Sequence, residues 1–182
     1  MYKHPRHITS SYNINDIGKS IYDIVIESKP NKIIDFGILY GYSTVCMAQA
    51  VKDNGFGEVF AYDLFEEYKY NNSIKDIVLH NLKYYNLEDY VTFKKINFYD
   101  WIDNGNESFD LLHLDISNDA DILLSLYNKY PNSKVIFEGG TGERDEVNWM
   151  IKYNRNKITS IKDEINYKVI DKNFPGLSGY NI

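Results

Sequence analysis

The chain lacks paired cysteines, long apolar runs and a net positive charge, and these absences argue against several common classes of protein. Cys46 is the only cysteine among 182 residues, so no internal disulfide can form, which fits a reducing compartment. No apolar run approaches the roughly 20 residues that cross a bilayer, and residues 1–7 lack the apolar core of a signal peptide. The net charge of −6 argues against general nucleic-acid binding. These absences predict a cytoplasmic protein that binds neither membranes nor nucleic acids.

The length and composition predict a single domain over residues 1–182. With 43% hydrophobic and 25% charged residues, the chain is typical of a globular protein, and a chain of this length buries roughly 70% of its unfolded surface in one core. Residues 1–12 hold the only locally basic stretch, which predicts a solvated arm or, alternatively, an anion-contacting segment that folds over the functional site. In residues 13–29, isoleucine and valine recur at helical spacing, which predicts a preliminary helix.

The most informative stretch is residues 32–44, with the sequence KIIDFGILYGYST. Ile33, Ile34 and Phe36 are typical of a buried parallel strand, and two glycines, Gly37 and Gly41, follow just before a helical pattern. Glycine tolerates positive φ and lets a ligand approach the backbone, while the helix that follows offers unpaired N–H groups. The stretch predicts a ligand cradle, with a merely structural turn as the alternative.

Carboxylates end three further predicted strands. Asp63, Asp115 and Glu138 follow the second, fourth and fifth apolar runs. Ligands of open α/β sheets bind at the carboxyl ends of the strands, where an acidic residue after the second strand hydrogen-bonds a ribose. The position of Asp63 thus predicts that it binds a nucleoside. The alternative is that Asp63 has only a structural role, as a helix N-cap or a loop carboxylate. Asp115 and Glu138 are candidate catalytic residues. His113 lies on the same strand face as Asp115, and it is either a third candidate catalytic residue or a histidine that is hydrogen-bonded within the core.

The order of elements predicts the fold class. A helix, five strand–helix units and a final strand pair indicate an open, doubly wound α/β sheet with mostly parallel strands and helices on both faces. The last helical unit is predicted as one helix between residues 143 and 153. The strand pair at 167–171 and 177–182 is predicted to be antiparallel.

The order acidic-x-Gly-x-x-x-Gly in Asp35, Gly37 and Gly41 resembles the first motif of class I S-adenosylmethionine-dependent methyltransferases. Loops of the G-x-G-x-x-G and G-x-x-x-x-G-K-[ST] types, which hold dinucleotides and nucleotide triphosphates, are absent. Asp63, Asp115 and the order of elements extend the resemblance over nearly the whole chain. It implies a Rossmann-like, seven-stranded sheet with an antiparallel C-terminal strand.

The resemblance also implies how S-adenosylmethionine would be held. The first loop and the start of its helix would bind the methionine part, Asp63 the ribose, and the loop after the third strand the adenine, although Phe98 in that loop could instead fill the core. The implied cofactor-binding residues are Asp35, Gly37, Gly41, Tyr42, Ser43, Asp63, Asn97, Phe98 and Asp115.

The chain further looks like the small-molecule O-methyltransferase branch. The sequences LHLD at 112–115 and IFEGG at 136–140 are similar to motifs of methyltransferases associated with sugars and surface polysaccharides, and no Asn/Asp-Pro-Pro-Tyr tetrad of amino-group methylases is present. The resemblance implies methyl transfer to a hydroxyl of a small polar acceptor, such as a sugar or a surface-polysaccharide precursor.

Two chemistries are open for the proton of that hydroxyl. One of Asp115, Glu138 and His113 could act as general base, or Asp115 and Glu138 could bind Mg²⁺. Gly139 and Gly140 stand where metal-dependent relatives carry a further carboxylate or amide.

Two other functions remain open: a nucleotide-binding (NAD-type) oxidoreductase, although its third glycine is missing, and a catalytically silent partner protein that binds the cofactor. Since the chain has no inserted lid, a second copy in a homodimer could complete the acceptor pocket.

Overall fold

The computed structural model describes residues 1–68 and 73–182. The strands in these ranges are β1 (Lys32–Phe36), β2 (Glu58–Asp63), β3 (Val91–Lys95), β4 (Leu111–Leu114), β5 (Val135–Glu138), β6 (Lys168–Asp171) and β7 (Leu177–Tyr180). The α-helices are α1 (Ile17–Ser28), α2 (Tyr42–Asn54), α3 (Lys75–Tyr84), α4 (Phe98–Asn104), α5 (Ala120–Lys129), α6 (Gly142–Asp145), α7 (Asn148–Lys152) and α8 (Lys162–Ile165).

The strands form one seven-stranded sheet in the order β3-β2-β1-β4-β5-β7-β6. β1 to β5 pair in parallel, and β7 runs antiparallel to both β5 and β6. The register of β1 and β4 places Asp35 opposite His113. The predicted open sheet with an antiparallel C-terminal strand is therefore confirmed.

Two apolar cores lie on the two faces of the sheet, because alternate residues of a strand point to opposite faces. In β1, Ile33 belongs to the core formed with α1, α2 and α3, whereas Ile34 and Phe36 belong to the core formed with α4 and α5. The near-continuous apolar run of β1 thus reflects burial on both faces, as expected of a central parallel strand. Within the described part of the chain, no helix has both the length and the apolar character that a membrane crossing needs.

The N-terminal segment differs from the predicted solvated arm. Ile8 and Tyr12 are buried, and the start of the chain is fixed to α2, since Gln49 accepts a hydrogen bond from the Lys3 N–H at 2.7 Å and donates one to its carbonyl at 3.0 Å. A 3₁₀ turn spans Ser11–Asn13. The helix predicted for residues 13–29 begins only at Ile17, because the preceding residue has a left-handed backbone.

The single helix predicted between residues 143 and 153 is wrong. Two short helices, α6 and α7, replace it, with Glu146 and Val147 between them. Val147 has an extended backbone (φ −66°, ψ 146°), which interrupts helical hydrogen bonding. The apolar spacing of this stretch resembles that of one helix although the helix is interrupted within it.

Candidate active site

The carboxyl ends of the parallel strands form the edge at which the predicted residues meet. The chain leaves β1 toward β2 and β3 and then returns to β4 on the other side of β1. A crevice forms where the strand order reverses in this way, and open α/β sheets bind their ligands there.

The glycine loop, residues 37–41, is built for close approach of backbone to backbone. Gly37 and Gly41 have φ values of +91° and +85°. A Cβ on Gly37 would lie 2.5 Å from the carbonyl carbon of Asp115 and closer still to its oxygen, and one on Gly41 would lie 2.7 Å from Cγ1 of Val78. The loop therefore passes directly against the chain that leaves β4, and it delivers the N-terminus of α2 to the crevice.

Asp35 lies beneath this loop. Its carboxylate is fully buried and accepts hydrogen bonds from the hydroxyls of Thr44 at 2.6 Å and Ser43 at 3.2 Å. Its other oxygen lies 2.7 Å from Nδ1 of His113. Asp35 and Ser43 thus make their polar contacts inside the protein, and Tyr42 is buried beside them. These residues support the loop from below and join the start of α2 to β4.

His113 continues this hydrogen-bond chain toward the N-terminal segment. Its Nε2 lies 3.1 Å from the Tyr12 hydroxyl. Because Nδ1 faces a carboxylate, we assign the proton to Nδ1, so that Nε2 accepts from Tyr12. Burial, together with the nearby charges of Asp115 and Glu138, raises the pKa of Tyr12 well above its ordinary value. The His113 ring is fully buried, so its candidacy as a catalytic base is not supported, and it corresponds to the alternative of a hydrogen-bonded core histidine.

The N-terminal segment forms one wall of the crevice. Residues 9–12 line a cavity together with residues 37–40 and Asp115. The Ser11 hydroxyl lies 3.5 Å from Oε2 of Glu138. This placement matches the alternative interpretation of the N-terminal sequence, in which the segment folds over the functional site.

Asp63 joins β2 to the glycine loop. Its Oδ2 accepts the N–H of Ile38 at 2.8 Å and its Oδ1 accepts the N–H of Phe65 at 2.8 Å. A carboxylate oxygen has two lone-pair sites, so each oxygen can accept one further hydrogen bond. The half-buried side chain can therefore fix the loop and still contact a ligand hydroxyl.

After β3, the structure separates the two predicted adenine contacts. Asn97 begins α4 and is half-buried, with Oδ1 accepting the N–H of Tyr99 at 2.9 Å. Phe98 lies in the core, 5.2 Å edge-on from the ring of Phe36. Phe98 therefore corresponds to the alternative of a core residue, because the short α4 directs it under the sheet edge. The neighbouring Tyr99 ring, 56% exposed, is the accessible aromatic surface at this position.

Asp115 and Glu138 form a carboxyl pair at adjacent strand tips. Burial raises the pKa of Asp115 well above its ordinary value, and the charge of Glu138 and a hydrogen bond to it raise the pKa further, while Arg144 acts in the opposite direction. Asp115 is accordingly the member that holds a proton. Glu138 accepts a hydrogen bond from Nε of Arg144 at 2.5 Å, and both of these side chains are buried.

We expect Asp115→Asn to stabilise the protein at pH 8 by about 1–2 kcal/mol. An unfolded aspartate has a pKa of about 3.9, so with a raised folded pKa the native state binds more protons than the unfolded state above that pH. Stability therefore falls as pH rises through the interval between the two pKa values. Asparagine removes this penalty, and the difference from the wild type should vanish toward pH 3.5 or so.

Thermal unfolding between pH 3.5 and pH 8 measures this difference, with Asp103→Asn, on the exposed face of α4, as the matched control. A stability difference that does not change with pH, or a variant less stable than the wild type at pH 8, would contradict the assignment of the proton to Asp115.

The donor set does not fit the predicted Mg²⁺. Mg²⁺ requires near-octahedral oxygen ligands, but one carboxylate oxygen of Glu138 is already engaged by Arg144. Over residues 1–68 and 73–182 there is no group of three or more His, Cys, Asp or Glu side chains that could hold a metal ion. The glycines that follow Glu138 add no side-chain ligand.

Arg144 is the residue of this site that sequence reasoning missed. It lies between two carboxylates in a stretch, Glu143–Glu146, that has the composition of a solvated helix start. Only the backbone reversal at Gly139 and Gly140, both with positive φ, could have indicated that this turn folds back onto the tip of β5.

Comparisons with known proteins agree with this geometry. A family profile described as a methyltransferase domain matches residues 34–130, more than half of the chain. This range runs from β1 through α5 and includes the glycine loop, Asp63 and Asp115. No curated protein matches the sequence.

Three solved structures illustrate the shared fold. The S-adenosylhomocysteine-bound methyltransferase PaMTH1 of Podospora anserina has a TM-score of 0.63 and 16% identity, covering 94% of this chain and 78% of that one. The O-methyltransferase TomG of Streptomyces achromogenes, in complex with S-adenosylmethionine, has a TM-score of 0.61 and 14% identity, with 98% and 89% covered. An O-methyltransferase of Bacillus cereus, in complex with S-adenosylhomocysteine, has a TM-score of 0.59 and 20% identity, with 90% and 79% covered.

Proposed function

Because the chain belongs to the methyltransferase domain family and is a class I S-adenosylmethionine-dependent methyltransferase, we propose that it methylates a hydroxyl of a small polar acceptor in the cytoplasm. The acceptor class that we favour is a sugar or a surface-polysaccharide precursor. The expected product is a methyl ether.

The observation that carries this proposal is the contact between the glycine loop and the carboxyl pair. Gly37 lies against the backbone of Asp115, and the Asp115 side chain is hydrogen-bonded to Glu138. The loop proposed to hold the methyl donor is therefore adjacent to the groups proposed to receive a proton. Such proximity is what an in-line transfer requires of the protein.

When bound, S-adenosylmethionine supplies an electrophilic methyl group on a positively charged sulfur. We assign to Glu138 the role of accepting the proton of the acceptor hydroxyl, and to protonated Asp115 that of holding Glu138 through its O–H. Asp63 would fix the ribose through its free lone-pair sites. The glycine loop and the N-terminus of α2 would hold the methionine part, with Asp35 supporting them from below.

The polar wall of the crevice supports a hydroxyl-rich acceptor. Thr9, Ser10 and Ser11 line the cavity, and each hydroxyl can donate and accept hydrogen bonds. A sugar presents several hydroxyls that would pair with such a wall.

The first test is a calorimetric titration of S-adenosylmethionine, S-adenosylhomocysteine and NAD into the wild type and the Asp63→Ala variant. We expect micromolar binding of the first two ligands, at least tenfold weaker binding in the variant, and no binding of NAD. The matched control is Asp110→Ala. Asp110 also accepts two backbone N–H groups, those of Asn31 and Lys32 at 2.9 Å each, but at the opposite edge of the sheet.

The outcomes separate the alternatives. An equal loss of cofactor affinity in both variants would mean that Asp63 affects binding only through the stability of the protein. Binding of NAD would favour the oxidoreductase. Cofactor binding without methyl transfer to any of a panel of sugars, nucleotide sugars and other small alcohols would favour the silent partner protein. Light scattering on the same sample decides whether the protein is a homodimer.

A further inference from the structure

Arg144 makes a buried ion pair at the tip of β5. Its Nε donates to Oε1 of Glu138 at 2.5 Å, and the two residues are 9% and 6% exposed. Its guanidinium also lies over the ring of Trp149, 5.1 Å from the centroid. A planar guanidinium held on one side by an aromatic ring has few alternative orientations. The pair is therefore a fixed arrangement rather than a flexible surface contact.

The fold presents Arg144 to Glu138 through a tight reversal of the chain. Gly139 and Gly140 have φ values of +93° and +79°, and a Cβ on Gly139 would lie 2.9 Å from Nδ2 of Asn118. The Thr141 hydroxyl then caps α6 by accepting the Arg144 N–H at 3.4 Å.

The next residue anchors this turn to the protein. Asp145 is buried and accepts the N–H groups of Ile158 at 3.2 Å and Thr159 at 3.0 Å, and the Thr159 hydroxyl at 2.6 Å. Because Asp145 fixes α6 from below, the backbone of Arg144 is held beside Glu138.

We propose that Arg144 is a positioning residue that takes the part of a divalent cation, holding the Glu138 carboxylate beside Asp115 for removal of the acceptor's proton. This inference rests on the proposed hydroxyl methylation. A buried carboxylate such as that of Glu138 needs a compensating positive charge. Here the protein supplies that charge from its own chain, at a site whose donor set does not fit Mg²⁺.

The reaction balances without a metal. The acceptor oxygen forms a bond to the methyl carbon as the carbon–sulfur bond breaks, and the electron pair of that bond stays on sulfur. The acceptor O–H bond breaks, and its proton goes to Oε2 of Glu138, since Oε1 is engaged by Arg144. Oε2 is also the oxygen that the hydroxyl of Ser11, a residue lining the cavity, approaches at 3.5 Å.

The groups that face Glu138 come from four elements. Asp115 and Arg144 contact it directly, and the hydroxyl of Ser11 lies nearby. Tyr12 and Asp35 are also near this cluster, since the charges of Asp115 and Glu138 raise the pKa of Tyr12 and the charge of Asp35 raises the pKa of Asp115. Arg144 supplies the positive charge among these residues. A lysine at this position would keep the charge but lose the planar fork and the stacking on Trp149.

The geometry can be tested without turnover, by ¹⁵N NMR of the arginine side chains in the ligand-free protein. We expect one Nε–H signal that is protected from exchange with water, lost in Glu138→Ala and Arg144→Lys, and retained in Arg155→Lys. Arg155 is the matched control because it also pairs with a carboxylate, that of Asp119 at 3.2 Å, but its own side chain is 42% exposed. Millimolar Mn²⁺ should leave the protected signal unbroadened. Persistence of that signal in Glu138→Ala, or broadening by Mn²⁺ that excess Mg²⁺ reverses, would overturn the proposal.

The kinetic test uses Arg144→Met, Arg144→Lys and the double variant Arg144→Met/Glu138→Gln, which removes both charges and so avoids leaving one buried charge unpaired. We expect kcat to fall about 100-fold in Arg144→Met and less in Arg144→Lys, with KM for S-adenosylmethionine within threefold of the wild type and no effect of a chelator. The double variant should be no slower than Glu138→Gln alone.

Unchanged kcat in Arg144→Met, or loss of wild-type activity on chelation, would refute the role of Arg144. If S-adenosylhomocysteine does not bind the wild type, the proposed function fails, whereas the NMR test still decides whether Arg144 holds Glu138.

Discussion

Alanine in place of Gly37 is expected to destabilise the protein by about 3 kcal/mol or more and to weaken cofactor binding at least 100-fold. The added Cβ would lie 2.5 Å from the carbonyl carbon of Asp115, and a backbone group cannot rotate away as a side chain can. The φ of +91° adds a further cost of about 1–2 kcal/mol for a residue that has a Cβ. Relief requires the glycine loop to separate from β4, which takes the N-terminus of α2 away from the crevice.

Gly55→Ala is the matched control for this prediction. Gly55 ends α2 with a φ of +76°, but a Cβ there would meet no atom within 4 Å. Its substitution should cost about 1 kcal/mol and leave S-adenosylhomocysteine binding unchanged. Thermal unfolding and calorimetry measure both effects, and about 3 kcal/mol corresponds to a fall in Tm of roughly 6–12 °C for a chain of this size. Equal effects of the two substitutions would show that the close approach at Gly37 has no special importance.

The parts of the structure that were predicted from sequence depend on local patterns. Burial on both faces gives β1 its apolar run, and the two glycines that follow are needed wherever a loop passes close to another backbone. The carboxylates at the tips of β2, β4 and β5 could be placed at one edge because parallel strands end at the same edge. These features require only the order of elements and the alternation of residues along a strand.

The parts that were not predicted depend on contacts between distant residues. Tyr12 and His113 are 101 positions apart, and no local pattern shows that the N-terminal segment lies over β4. Phe98 has the residue type and the sequence position expected of a ligand contact, but its side chain packs on Phe36. Arg144 has the sequence context of a surface residue, and its burial follows from a chain reversal at two glycines that periodicity does not register.

The internal hydrogen bonds also change how the first motif is understood. The resemblance implied that Asp35 holds the cofactor, yet both of its oxygens are used by Thr44, Ser43 and His113. A buried carboxylate with several hydrogen-bond donors orients the groups around it. We therefore interpret Asp35 as the residue that couples the loop to β4, so that the methyl donor and the carboxyl pair keep a constant spacing.

Glu138→Gln is expected to lower kcat by about 10²- to 10⁴-fold, the usual contribution of a general base, while S-adenosylhomocysteine binds within threefold of the wild type. Glutamine keeps the shape of the side chain and can still accept the Arg144 N–H, but it cannot take a proton from the acceptor. The control is Glu143→Gln, an exposed carboxylate one residue before Arg144, which should leave both values unchanged. Turnover within threefold of the wild type in Glu138→Gln would place the base elsewhere, and lost S-adenosylhomocysteine binding would show that Glu138 holds the cofactor site together instead.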